Sequence, residues 1–103
     1  MKGELFMNQN VIDAVIRSEE RCEDGNSYSY QLMMRRGYTT ADWQIPLYSI
    51  RISMTDKSGR ERKADAKDVF ASEEKAVAFF DKIVRNLATP IDLAYIIEDE
   101  LNS

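Results

Sequence analysis

Histidine is absent from all 103 residues, cysteine occurs once, proline twice and glycine four times. Without histidine the chain lacks the commonest general base near neutral pH, the Ser–His and Cys–His nucleophile pairs, and the usual zinc ligand. A single cysteine excludes an intramolecular disulfide. That residue, Cys22, stands in Arg21-Cys22-Glu23-Asp24-Gly25, which reads as a turn. The carboxylates beside it disfavour a thiolate, so Cys22 reads as a bystander thiol. No stretch reaches the ~18 apolar residues of a membrane span. The opening MKGELFMNQN is not a signal peptide, and the expected compartment is therefore a reducing cytoplasm, with no membrane partner. Ser58-Gly59-Arg60 has too little glycine for a phosphate loop, and no serine sits in a nucleophile elbow. No residue is assigned a catalytic or metal-binding role, and no cofactor is implied.

What is present suits one small folded domain. The chain is 44% hydrophobic and 31% charged, too apolar for a disordered acidic tail. Residues 1–103 are expected to form a single α+β domain in which 1–9 fray. The net charge is −4, unevenly spread. Residues 1–46 carry 5 basic and 7 acidic groups, 47–69 carry 6 and 4, and 70–103 carry 3 and 7. A nucleic-acid binder needs a concentrated basic stripe. Here Arg51, Lys57, Arg60, Arg62 and Lys63 gather around one turn and split between two strand faces, which argues against nucleic acid as a partner.

Periodicity gives the elements. Val11 to Ser18 alternates, which suits a strand but leaves a short helix open. Glu23-Asp24-Gly25-Asn26 is a turn, followed by the clearest strand, in which Tyr28, Tyr30, Leu32 and Met34 alternate with Ser29, Gln31, Met33 and Arg35. Residues 37–44 read as a loop. The next strand begins near Ile45-Pro46 and carries Tyr48, Ile50, Ile52 and Met54 on one face. A three-residue loop, Lys57-Ser58-Gly59, places Gly59 at a left-handed position and sets Asp56 opposite Arg60, Ile52 opposite Ala64 and Ile50 opposite Ala66. A slip by one residue would put Ile52 against Asp65.

Two helices follow. Ser72 caps the first, with Glu73 and Glu74 in its opening turn and a stripe of Ala76, Val77, Phe80, Ile83, Val84 and Leu87, beside which Phe79 lies. Thr89 and Pro90 open the second, whose stripe reads Leu93, Ala94, Ile97 and Leu101, with Glu98, Asp99 and Glu100 towards water. The fold class is α+β: a four-stranded antiparallel β-meander with two C-terminal α-helices packed on one face.

Several of these segments resemble one family. Tyr48-Ser49-Ile50-Arg51-Ile52, the turn at Lys57-Ser58-Gly59, Asp68-Val69, the apolar helix, and Pro90-x-x-Leu93 leading to Ile97-Glu98-Asp99-x-Leu101 are similar to a group of short bacterial proteins, mainly from Gram-positive organisms, known as a domain of unknown function. The resemblance spans about residues 28–101. Many members carry a histidine where this chain has Asp92. The resemblance implies a small cytoplasmic protein and no particular activity.

The functional expectation is a small non-catalytic interaction or regulatory module that binds another protein or itself as a homodimer. Its candidate surface is Met33, Tyr38, Trp43 and Leu47, which fall off the inward set. The alternative is a small-molecule binder or minor enzyme with a helix–sheet cleft, using Tyr48 and Arg51 to orient an anionic ligand.

Overall fold

The computed structural model describes residues 14–38 and 44–102. The expectations for residues 1–9 and for Trp43 lie outside these residues. Strands β1 (Ala14–Glu23), β2 (Asn26–Tyr38), β3 (Gln44–Thr55) and β4 (Glu61–Phe70) form one sheet in the order β1-β2-β3-β4. Helices α1 (Glu73–Arg85) and α2 (Pro90–Leu101) follow and cover one face. The α+β meander is the architecture that the periodicity indicates, and it settles Ala14 to Ser18 as strand.

Local chemistry fixes the turns. Asp24 and Gly25 both hold positive φ, 54° and 84°, between the paired residues Glu23 and Asn26, the two-residue loop that matches strand twist. Cys22 therefore belongs to β1, opposite Ser27, and not to the turn. At the other hairpin Gly59 takes φ 88°, and its N–H donates to the Asp56 carbonyl at 2.9 Å. The Asp56 carboxylate accepts from the Ser58 hydroxyl, the Ser58 N–H and the Arg60 N–H, at 2.7, 2.9 and 2.9 Å. The bonds from the Ser58 hydroxyl and then the Arg60 N–H hold this carboxyl below its usual range. Ile52 pairs with Ala64 and Ile50 with Ala66, the register that the hydrophobic pattern requires.

The strands outrun the sequence reading at the β2–β3 end. Gly37 pairs with Ile45 and Tyr38 with Gln44, so the expected 37–44 loop is shorter than its glycine suggests. Pro46 lies inside β3 opposite Arg36. It is tolerated because β4 joins β3 only from Tyr48 onward, so among the described residues no strand pairs with the other side of β3 at the proline.

Among the described residues, two bulges interrupt the sheet. In β1, Val15 pairs with Met33 but Arg17 with Leu32, so Ile16 is an extra residue. The bulge shifts the phase, placing Arg17, Glu19 and Arg21 opposite the inward residues Leu32, Tyr30 and Tyr28. In β4, Tyr48 pairs with Phe70 and Ile50 with Ala66, so Lys67, Asp68 and Val69 all lie opposite Ser49. An insertion of two residues keeps the parity, and Phe70 stays under the helices.

The core lies between sheet and helices. Tyr30, Leu32, Ile50, Ile52, Phe80, Ile83 and Leu93 are its most deeply buried side chains. Phe79 is also core, with its ring centroid 5.3 Å from that of Phe70, where the helical pattern set it beside the stripe. Ser72 caps α1 by accepting from Lys75 N–H at 3.3 Å. At α2 the cap is reciprocal: the Thr89 hydroxyl accepts from Asp92 N–H at 3.3 Å, and the Asp92 carboxylate accepts from Thr89 N–H at 3.1 Å. Asp92 thus has a structural task at the position where related chains were expected to carry histidine.

Tyr30 is fully buried, and its hydroxyl donates to the Ala88 carbonyl at 2.9 Å. Tyr30→Phe leaves that carbonyl short of a donor and is expected to cost about 1–2 kcal/mol, read as a lower urea midpoint. Burial, then the charge of neighbouring Tyr28, pushes the hydroxyl up to about 12 from an ordinary 10.0. Because the folded value is raised, this contribution is intact below pH 10 and is lost as pH climbs from 10 to about 12. The Phe variant should lose less stability than the parent over that interval. An identical alkaline slope in both proteins would refute the assignment.

Candidate interaction surface

The sheet face turned away from the helices carries polar rows toward the β1–β2 turn. Ser18, Gln31, Arg51 and Asp65 align across four strands, as do Glu20, Ser29, Ser53 and Lys63. Arg51 Nε and a terminal nitrogen donate to the two Asp65 carboxylate oxygens at 2.8 and 3.1 Å, and Ser29 donates to Glu20 at 3.1 Å. The Arg51 hydrogen bond holds the Asp65 carboxyl below its usual range. Such rows are satisfied by each other and by water, which gives this part of the face little to gain from a partner.

Both sheet edges are also charged. β1 presents Arg17, Glu19, Arg21 and Glu23, and β4 presents Glu61, Arg62 and Lys63 before its bulge and Lys67 within it. Charge and bulges of this kind discourage strand addition.

The residues singled out from the sequence do not form one site. Met33 does lie on the uncovered face, but it is only 6% exposed, a correction to its expected accessibility. It sits on an inner strand between Val15 and Ser49, with Arg35 two residues along, and that crowding shields it. Leu47, opposite Arg35, is half-buried on the same face. Tyr38 is in the ladder opposite Gln44. Tyr48 and Arg51 are separated by the sheet: Tyr48 is 4% exposed within the core, whereas Arg51 lies in the polar row of the other face. The helix–sheet space that was to hold a ligand is filled by the core that includes Phe79, Phe80 and Ile97.

Polar chemistry inside the described residues is already satisfied. No buried side-chain nitrogen or oxygen among them lacks a hydrogen-bond partner, and no three His, Cys, Asp or Glu residues among them converge on a metal position. No helix among them is long and apolar enough to cross a membrane. A groove of about 440 Å³ between β1 and α1 is lined by Glu19, Glu23 and Asp81 together with Arg21 and Arg85, a mixture of both signs.

The outer face of α2 is different. Leu93 and Ile97 turn inward, and Ile91 and Tyr95 are left 61% and 71% exposed. They are four residues apart, one above the other on the helix. Beside Tyr95 a cleft of about 430 Å³ runs between the helices, with Ile83 and Ile96 in its wall and Lys82, Asn86 and Asp99 at its rim. The inward stripe is also narrower than the sequence pattern: Ala94 and Leu101 are exposed, Ile96 is half-buried, and Glu100 is half-buried with its carboxylate 3.5 Å from Lys82 Nζ. Ile91 and Tyr95 are not among the surface residues that the sequence pattern indicates. The signal was their shared i, i+4 spacing, off the Leu93–Ile97 stripe.

A family model described as a family of unknown function (DUF6514) matches residues 10–103, and the chain belongs to that family. No curated protein and no solved structure matches it.

Proposed function

We propose that this family member is a small non-catalytic interaction module that binds another protein through the outer face of α2. The observation that carries the reading is the pair Ile91 and Tyr95, large and exposed on a domain in which Tyr28, Tyr30, Tyr48, Phe70, Phe79 and Phe80 are buried. Tyrosine of this kind supplies contact area at low entropic cost and is enriched at the centres of interfaces. A homodimer through this face is disfavoured by charge, since α2 would bring its own carboxylates, with no basic residue on the helix, against the same carboxylates of the second copy. The exposed thiol of Cys22 fits a reducing compartment, and the cytoplasm remains the proposed location.

Site-specific photo-crosslinking tests this. A photoreactive residue placed at Tyr95, in the full chain and in the native cell, should give one discrete adduct with another protein. The same residue placed at Lys63, on the polar sheet face, should not. Equal adducts from both positions, or none from Tyr95, would overturn the reading.

A further inference from the structure

The charge around Ile91 and Tyr95 specifies the partner further, on the premise that this face is the binding surface. Helix α2 contains Asp92, Glu98, Asp99 and Glu100 and no basic residue. Asp92 is occupied by the cap, and Glu100 faces Lys82. Glu98 and Asp99 form no ion pair among the described residues. They stand in the last turn, where the negative end of the helix dipole makes a carboxylate unfavourable. Ile91, Tyr95 and Asp99 succeed one another at four-residue steps, each step about 6 Å along the axis. An apolar position, an aromatic position and an acidic position thus form one line of about 12 Å, flanked at Tyr95 by the inter-helix cleft.

We infer that the occupant of this face is a cationic amphipathic helix, with apolar side chains placed on Ile91 and Tyr95 and a Lys or Arg placed on Asp99 and Glu98. One anchor enters the cleft walled by Ile83 and Ile96. A second copy of the chain does not fit this description: its own α2 would bring the same carboxylates to the interface with no cation on the helix to meet them.

The test uses two synthetic helical peptides of 14 residues, identical in their leucines, one with lysine and the other with glutamate at every polar position. Backbone amide shifts of the full-length protein locate binding, and titration measures it. The lysine peptide is expected to bind about tenfold more tightly or better than the glutamate peptide and to move resonances of α2 and the adjoining end of α1. Its affinity should fall with added salt. Tyr95→Ser should weaken it by about fivefold or more, and Asp99→Asn by two- to threefold with a shallower salt dependence. Both positions are exposed, so amide dispersion reports that each variant still folds.

Equal binding of the two peptides, or lysine-peptide shifts confined to the sheet face, would overturn the inference. So would a native mass that doubles with concentration and stops doubling in Tyr95→Ser, since the occupant is then a second copy. A discrete Tyr95 adduct together with failure of the lysine peptide removes the cationic helix and leaves the interaction module standing. Failure of both removes the two together.

Discussion

Phe80→Ala is expected to destabilise the domain by about 3–5 kcal/mol, a large share of the ~5–15 kcal/mol that holds a domain of this size. Phe80 is 1% exposed and lies at the centre of α1's buried face, among core residues contributed by β2, β3, β4 and α2. Removing the ring forfeits its transfer from water and leaves a cavity that the surrounding Ile, Leu and Tyr side chains close only in part. The melting temperature should fall by about 15–30 °C. Phe80→Leu, which leaves a smaller void, should cost about 1–2 kcal/mol. A control at the exposed end of the scale is Tyr95→Ala, expected within about 0.5 kcal/mol of the parent. Thermal and urea unfolding of the three variants checks the order. A Phe80→Ala variant as stable as Tyr95→Ala would mean that α1 does not pack on the sheet through this residue.

The parts of this fold that were legible in the sequence are those where local rules and burial agree. The β3–β4 hairpin is the clearest. Gly59 fixes a left-handed position, and the alanines at 64 and 66 are the small partners that Ile52 and Ile50 need beneath the helices. Thr89-Pro90 marks the start of α2 for a similarly local reason, because a hydroxyl cap and a proline without an N–H suit the first turn. Phase was lost where a bulge intervenes. Nothing in Val15-Ile16-Arg17 announces an extra residue, because the bulge serves the pairing with Met33 and Leu32, a long-range contact. The misjudged end of β2 has the same origin: Gly37 is ordinary turn punctuation by itself, yet the partner strand pairs through it to Tyr38.

The candidate surface was less legible than the fold. Alternation correctly sends Met33 to the face away from the helices, but alternation states direction and not exposure. A residue on an inner strand is shielded by neighbours on both sides, and Met33 is buried while pointing outward. The opposite error applies to α2. Its apolar spacing predicts an inward stripe wide enough to include Ala94 and Leu101, although α2 packs mainly over β4 and β3, a narrow support for one helix. Drawing the stripe on Leu93 and Ile97 alone exposes Ile91 and Tyr95 as a second, outward pair.

The second large effect is expected at Asp68, the centre of the β4 bulge. Asp68 holds φ 54°, the left-handed region that aspartate tolerates better than alanine does. Its N–H donates to the buried Ser49 hydroxyl oxygen at 2.9 Å, because the bulged backbone has left the regular ladder. Its carboxylate receives both Arg35 donors, Nε at 3.1 Å and a terminal nitrogen on the second oxygen. The two side chains retain 26% and 30% exposure, so the pair is partly withdrawn from water and is worth more than a surface ion pair. Asp68→Ala removes the carboxylate and places a Cβ-bearing residue without a local polar side chain in the left-handed region, so about 2–4 kcal/mol should be lost. Asp68→Gly removes the carboxylate but frees the backbone, and should cost about 1–2 kcal/mol. Asp68→Asn keeps a residue suited to that φ and loses the charge, for a similar cost of about 1–2 kcal/mol. The order of urea midpoints should therefore be parent first, Asn and Gly together, and Ala last. Equal midpoints for the Ala and Gly variants would deny the left-handed conformation a share in the cost. An Asn variant as stable as the parent would show that the Arg35 pair contributes nothing. A double-mutant cycle with Arg35→Met isolates the pair, and a coupling of about 1 kcal/mol or more is expected, because the two groups share hydrogen bonds and are removed together from water.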